Sequence, residues 1–171
     1  MVKARLKVGI IAAEHSSDRL GAKIIESLQD IFEIDLYGLG GPEVNANQIV
    51  TPNGIDYHDL HVMGLIDPLF KLPKILLNRR KLLKLFISNN IDIFIGVDSP
   101  DFNIFFHKKL KLNNVKTVQI VSPSVWGWRE NRINAIEAYI DLTMCLFKFE
   151  CDFYSKKKYA KLFFGPSIQS T

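Results

Sequence analysis

Cysteine is nearly absent from this 171-residue chain. Cys145 and Cys151 are too few and too closely placed for a disulfide framework or a thiolate metal site, and they read as incidental thiols of a reducing compartment. The four histidines, His15, His58, His61 and His107, show no His-Glu-x-x-His spacing. No metal and no cofactor is therefore expected. Uninterrupted apolar runs are also short. None approaches the roughly 18 residues of a membrane span, and Val8 to Ala13 is cut off at once by Glu14 and His15, too soon for a signal peptide. A complete Gly-x-Gly-x-x-Gly after the first strand is missing too, which disfavours a self-contained nucleotide-binding domain. There is no internal repeat and no low-complexity linker. A charge of +4 is too mild to demand nucleic acid and suits anionic substrates or a membrane surface.

What is present is an alternation of strand-like and helix-like segments. Val8–Ala12, Ile34–Leu39, Ile91–Val97, Val115–Val121, Leu142–Leu146 and Lys161–Phe164 read as strands. Between them, helices are expected near Arg19–Ile31, Pro73–Ser88 with Pro73 in its first turn, Phe102–Leu112, Arg132–Ala138 and Phe149–Lys158. Strands apolar along their whole length, separated by helices, predict a parallel sheet with helices on both faces, an α/β fold in one domain. The pattern stops just after Gly165-Pro166, where another βα unit is expected, so the chain reads as half of a larger enzyme.

Three polar clusters each follow an apolar strand: Glu14-His15-Ser16-Ser17-Asp18, Asp98-Ser99-Pro100-Asp101-Phe102-Asn103, and Ser122-Pro123-Ser124-Val125-Trp126-Gly127-Trp128-Arg129. Carboxyl ends of parallel strands share one edge of a sheet, where open α/β sheets bind ligands. Asp98, at the exit of a buried strand, is the candidate general base, since partial desolvation strengthens a carboxylate in that role. Asp101 reads instead as the N-cap of the following helix. Glu14 and Asp18 read either as a second carboxylate pair or as first-turn acids answering a helix dipole, and His15 as a turn residue. Arg129 and Arg132 grip a phosphate or begin a solvated helix. Trp126 and Trp128 stack on a sugar ring or fill an interface.

The segment from Lys71 to Lys84 holds six basic residues and no acid. Leu72, Ile75, Leu76, Leu83 and Phe86 recur at helical intervals, after Met63, Leu65, Ile66, Leu69 and Phe70. Such a basic, apolar helix is a seat on an anionic membrane, or a core-facing helix with a solvated basic back.

The motifs Ala13-Glu14-x-Ser16-x-Asp18, Leu20-Gly21-Ala22, Gly38-x-Gly40-Gly41-Pro42, Val62-Met63-Gly64, Gly96-Val97-Asp98-Ser99-Pro100-Asp101-Phe102-Asn103, Ser122 to Arg129, and Phe149-Glu150-x-x-Phe153-Tyr154 occur in order over nearly the whole chain. In them the chain resembles the N-terminal half of the lipid-A-disaccharide synthases. The resemblance implies the Rossmann-like N-terminal lobe of a two-lobed, GT-B type glycosyltransferase, residues 1–171 being the acceptor-side lobe without the UDP-binding lobe. It implies an inverting hexosyltransferase that moves 2,3-diacylglucosamine from UDP to 2,3-diacylglucosamine 1-phosphate in lipopolysaccharide biosynthesis. The alternative is a lipid- or membrane-binding fragment that is inactive or depends on a partner. Asp98 is then the catalytic base, and Glu14, Ser16, Met63, Asn103, Ser122, Trp126 and Arg129 shape the substrate site. Leu65, Leu69, Phe70, Leu72, Leu76, Arg79 and Arg80 meet acyl chains or the membrane. The expected partners are the UDP-sugar, the lipid monosaccharide phosphate, a membrane surface and no nucleic acid, with a homo-oligomer or a separate C-terminal lobe in view. The expected place is cytoplasmic, peripheral on the inner face of the inner membrane. Ala13 and Ser17 stand where the family usually carries glycine, and Ser17 would obstruct a ligand if that position required positive φ.

Overall fold

A computed structural model describes the backbone of residues 2–60, 67–122, 131–146 and 162–164, and the side chains of all of these except 59–60, 67–72, 131–133, 137 and 162–164. The chain forms two compact units, residues 1–93 and 94–171.

In the first unit, β1 (Ala4–Ala12) pairs in parallel with β2 (Phe32–Leu39), Ala4 opposite Phe32 and Ile11 opposite Leu39. The helix α1 (His15–Gln29) connects them. Alternate residues of β1 point to opposite faces, and both faces are covered. Gly21 of α1 lies against Ile10 and Ala12, while Phe86 of α3 (Asp67–Ser88) and Ile91 close over Gly9. Helices on both faces of β1 explain why Val8, Ile10, Ile11 and Ala12 are all 0% exposed, and why the strand reads as one apolar run. Asp92 ties the chain after α3 to β1: its carboxylate accepts from the Lys7 N–H at 2.8 Å and its own N–H donates to the Lys7 carbonyl at 2.9 Å.

In the second unit β3 (Ile93–Val97), β4 (Lys116–Ile120), β5 (Leu142–Cys145) and β6 (Leu162–Phe164) follow in that spatial order, and the pairs β4–β5 and β5–β6 are parallel. α4 (Pro100–Lys111) and α5 (Asn131–Tyr139) connect them. The core of this unit is aromatic. Phe94 of β3 meets Phe106 of α4 with ring centroids 5.7 Å apart, and both are fully buried. Truncating either ring would cost about 3–5 kcal/mol.

Every strand expected from the sequence is found, with shifted ends, and the helix expected over 149–158 lies outside the described residues. The corrections concern helix starts. α1 begins at His15, not near Arg19, because its N-cap is Glu14 and its partner at the third helical position is Ser17. The usual order of a capping box is Ser or Thr first and Glu third; here it is reversed, so the sequence reads as a turn. In α3 the first turn holds Pro68, and Pro73 sits inside the helix. The short helix α2 (Pro42–Asn45) and a 3₁₀ turn at Tyr57–Leu60 escape sequence patterning altogether.

α2 exists because of Asp18. This side chain is 1% exposed, and its two oxygens accept from the N–H groups of Glu43 (2.9 Å) and Val44 (3.0 Å), supplying the cap that the helix's own N-cap residue, Gly41, lacks. A β-carbon on Gly41 would stand 2.6 Å from Asp18 Oδ2, so the motif Gly40-Gly41-Pro42 and the motif ending in Asp18 form one interlocked turn. Replacing Asp18 by alanine strands two backbone donors, and urea unfolding is expected to show a loss of about 2–4 kcal/mol; Asp18→Asn, which keeps one acceptor, should lose less.

Candidate functional site

The exit of β3 is the most constrained turn in the described chain. Val97 is fully buried; the next two residues, Asp98 (φ 55°) and Ser99 (φ 39°, ψ 55°), are both left-handed, and Pro100 opens α4. Two consecutive non-glycine residues in this region cost on the order of 1–3 kcal/mol each, and the proline narrows the choice for Ser99 further. The N-cap is therefore Ser99, and Asp101, expected there, is instead an exposed first-turn acid.

Three hydrogen bonds hold the Asp98 backbone. Its N–H donates to the Ile120 carbonyl of β4 at 2.9 Å. Its carbonyl accepts from Asn103 Nδ2 at 2.8 Å and from Gln119 Nε2 at 3.0 Å. The same Gln119 amide donates to the carbonyls of Ile120 (3.0 Å) and Val121 (3.3 Å), and Gln119 Oε1 lies 2.9 Å from His107 Nε2. Asn103, His107 and Gln119 are each 0% exposed. Gly96 makes room for them: a β-carbon there would come within 2.8 Å of both Asn103 Nδ2 and Gln119 Oε1. The Asp98 carboxylate, by contrast, is half-buried and accepts no hydrogen bond from the described residues. Backbone pinned and carboxylate unclaimed is the arrangement a general base requires.

The exit of β4 is also strained. Val121 has φ 68°, a genuine outlier for a β-branched residue, and Ser122 after it is 7% exposed. In the first unit, Glu14 heads α1, its N–H donating to Ser17 Oγ at 2.7 Å while the Ser17 hydroxyl donates back to the Glu14 carbonyl at 2.7 Å. Glu14 and Ser16 are exposed at the carboxyl end of β1, and His15, in the first turn of α1, meets the Tyr57 ring edge-on at 6.4 Å. Asp18 caps α2 and is not available as a second carboxylate. Neither Ala13 nor Ser17 has positive φ, so neither position demands glycine on backbone grounds. At the carboxyl end of β2 a cavity of about 390 Å³ is lined by Gly40, Gly41, Asn45, Thr51, Tyr57 and His58 among others. Burial, then the carboxylates of Asp18 and Glu14, push the Tyr57 phenol above its ordinary pKa.

Met63, Leu65, Trp126 and Arg129 lie outside the described residues, as do the side chains of Leu69, Phe70 and Leu72 on α3. The inward face of that helix is Asn78, Leu82 and Phe86, with Arg79 half-buried and its guanidinium pKa lowered by burial. Leu76 (46% exposed), Leu77 (52%), Arg80 and Lys84 face outward. Among the sequence-expected residues, Asp98 and Asn103 are brought together, with Asn103 beneath the turn. His107 and Gln119 were missed. Their signal was a lone amide inside β4, and a histidine one helical turn after Asn103.

The described chain is thus an α/β protein with parallel strands and a strained strand-end carboxylate. The family model for lipid-A-disaccharide synthetase matches residues 8–169, and the chain belongs to that family. It is 42% identical over 165 residues to the lipid-A-disaccharide synthase of Pseudoalteromonas translucida, covering 96% of this chain and 42% of that protein. The Aliivibrio fischeri (41% identity; 95% and 42%) and Vibrio cholerae (38%; 95% and 43%) synthases are similar to it over a like extent. The chain therefore spans about two fifths of the length of these curated relatives. In fold it is similar to a solved UDP-N-acetylglucosamine 2-epimerase, with a TM-score of 0.61 over 95% of this chain and 48% of that one at 14% identity. That likeness is to the Rossmann-like α/β architecture.

Burial pushes the His107 imidazole down from 6.5 to about 4, against the raising effects of its Gln119 bond and of Asp141. The folded protein therefore holds this residue neutral, while the unfolded chain binds a proton near 6.5. Stability is complete above that value and falls as pH drops toward about 4, by about 3 kcal/mol in all. Urea midpoints measured from pH 7 to pH 4 should show this slope, and His107→Gln should flatten it.

Proposed function

We propose that this chain is the acceptor-side lobe of a lipid A disaccharide synthase, an inverting glycosyltransferase in lipopolysaccharide biosynthesis. The reaction joins 2,3-diacylglucosamine, delivered on UDP, to 2,3-diacylglucosamine 1-phosphate and releases UDP. The observation that carries the reading is the left-handed Asp98 turn, within a chain that belongs to this family. In the displacement, an acceptor hydroxyl attacks the anomeric carbon, the bond to UDP breaks, and the Asp98 carboxylate takes the hydroxyl proton as the new glycosidic bond forms. To Glu14, Ser16, Met63, Ser122, Trp126 and Arg129 we assign substrate contacts, and to Asn103 the support of the Asp98 turn. The cavity of about 390 Å³ at the end of β2, with amide, hydroxyl and aromatic groups in its wall, is within the size range of small-molecule sites.

The outward face of α3 supports a peripheral seat on the cytoplasmic side of the inner membrane. Leu76, Leu77 and Ile87 are exposed beside Lys74, Arg80 and Lys84, a surface that would place apolar groups among acyl chains and cations at anionic headgroups. Arg79 on the same helix is half-buried, and in the sequence Leu65, Leu69, Phe70 and Leu72, which we assign to acyl or membrane contact, precede this face. Among the described residues no helix is long and apolar enough to cross a membrane. The same face favours a second reading, a lipid-binding lobe that turns over only with a UDP-binding partner, either a second copy or a separate chain.

The test is a transfer assay on the purified chain with UDP-diacylglucosamine and the lipid monosaccharide phosphate in detergent. Disaccharide formation is expected to fall about 10²–10⁴-fold in Asp98→Asn, the usual contribution of a general base. Product unchanged in that variant would overturn the assignment of Asp98. No product from a folded chain that still binds acceptor-lipid vesicles would select the second reading.

A further inference from the structure

The left-handed turns at Asp98-Ser99 and at Val121 lie at the ends of different strands, yet one side chain serves both. Gln119 Nε2 shares its two protons among the carbonyls of Asp98, Ile120 and Val121, at 3.0, 3.0 and 3.3 Å. Its orientation is not free. Rotated by 180°, the amide would aim its oxygen at three carbonyl oxygens, and in a site that excludes water nothing would offset that repulsion. With the nitrogen so placed, Gln119 Oε1 must accept, and His107 Nε2, 2.9 Å away, must carry a proton. His107 is thus neutral with its hydrogen on Nε2, and its Nδ1 is buried without a hydrogen-bond partner among the described residues. The ring is held edge-on by Phe94, 5.0 Å between centroids.

A pair of apolar side chains of similar volume would fill this space at less desolvation cost, so core filling alone does not account for an imidazole and an amide here. All the bonds the Gln119 amide donates go to backbone carbonyls at the two strained exits. We infer that His107 and Gln119 are positioning residues, a buried couple that fixes both strand-end turns together and thereby sets where the Asp98 carboxylate stands. The inference rests on the reading of Asp98 as the base, but the geometry it concerns is measurable without turnover.

The experiment compares wild type with His107→Phe, which keeps a ring and removes the N–H, with His107→Gln, which restores a donor, and with Gln119→Met. In ¹⁵N,¹³C-labelled chain, positive φ is read from a strong intraresidue HN–Hα NOE at Asp98, Ser99 and Val121. Both turns are expected to lose this signature together in His107→Phe and Gln119→Met, with the remaining amide shifts largely unmoved, and to regain it in His107→Gln. In the transfer assay, kcat should fall at least about 10-fold in the first two variants with KM changed less than about twofold, and recover in His107→Gln. Unaltered turns in His107→Phe, or turns lost to the same degree in His107→Gln, would overturn the inference. If one variant does not fold, the other carries the same comparison. A wild-type chain without product counts against the proposed function, while the NOE comparison still decides the positioning role.

Discussion

The second unit depends on a single amide placed inside a strand. Gln119 sits where an apolar residue would be expected, fully buried, and its cost is met only if every polar atom finds a partner. Its oxygen takes the histidine proton and its nitrogen supplies three carbonyls at the ends of β3 and β4. Without these bonds the Asp98 carbonyl would keep only the Asn103 amide, and the Val121 carbonyl would lose the Gln119 side chain that holds it. The absence of a side chain at Gly96 follows from the same arrangement, since the two amides converge on that position.

The first unit meets an equivalent problem with a charge in place of an amide. Asp18 turns away from solvent to hold the first turn of α2, so the segment after β2 is fixed by a side chain from the first turn of α1. Ser17 and Glu14 close the start of α1 on themselves. What this leaves at the surface is Glu14, His15 and Ser16. In both units, then, the residues that look most polar in sequence divide into buried ones that shape backbone and exposed ones that can meet a ligand.

That division marks the limit of what sequence pattern discloses. The strands were legible because burial on both faces leaves them apolar throughout, and the turn at Asp98 was legible because a carboxylate followed by Ser-Pro ends a strand. The roles inside each cluster were not. Asp18 and Asp98 each belong to a polar cluster after an apolar strand, and only their partners, two N–H groups of α2 for Asp18 and none among the described residues for the Asp98 carboxylate, separate a cap from a candidate base. The start of α1 was hidden by a capping box in reverse order, and α2 by a cap contributed from far along the chain. Leu76, expected to meet acyl chains or a membrane, lies exposed on the outer face beside Arg80, whereas Arg79, expected there too, is half-buried. His107 and Gln119 pair across β4 and α4, a relation no local period expresses.

The choice of residues at the strained turns argues that their side chains matter. The chain contains ten glycines, and glycine would adopt φ of 39° to 68° at no steric cost. None stands at Asp98, Ser99 or Val121, where the strain is on the order of 1–3 kcal/mol for each residue. A turn needed only to pass from strand to helix would be more stable with glycine at Ser99 and Val121. Strain is instead retained and countered by buried bonds, and the Asp98 carboxylate that results accepts no hydrogen bond from the described residues. Stability alone would remove both the strain and the polar couple that supports it. A requirement on the position of Asp98 accounts for both at once.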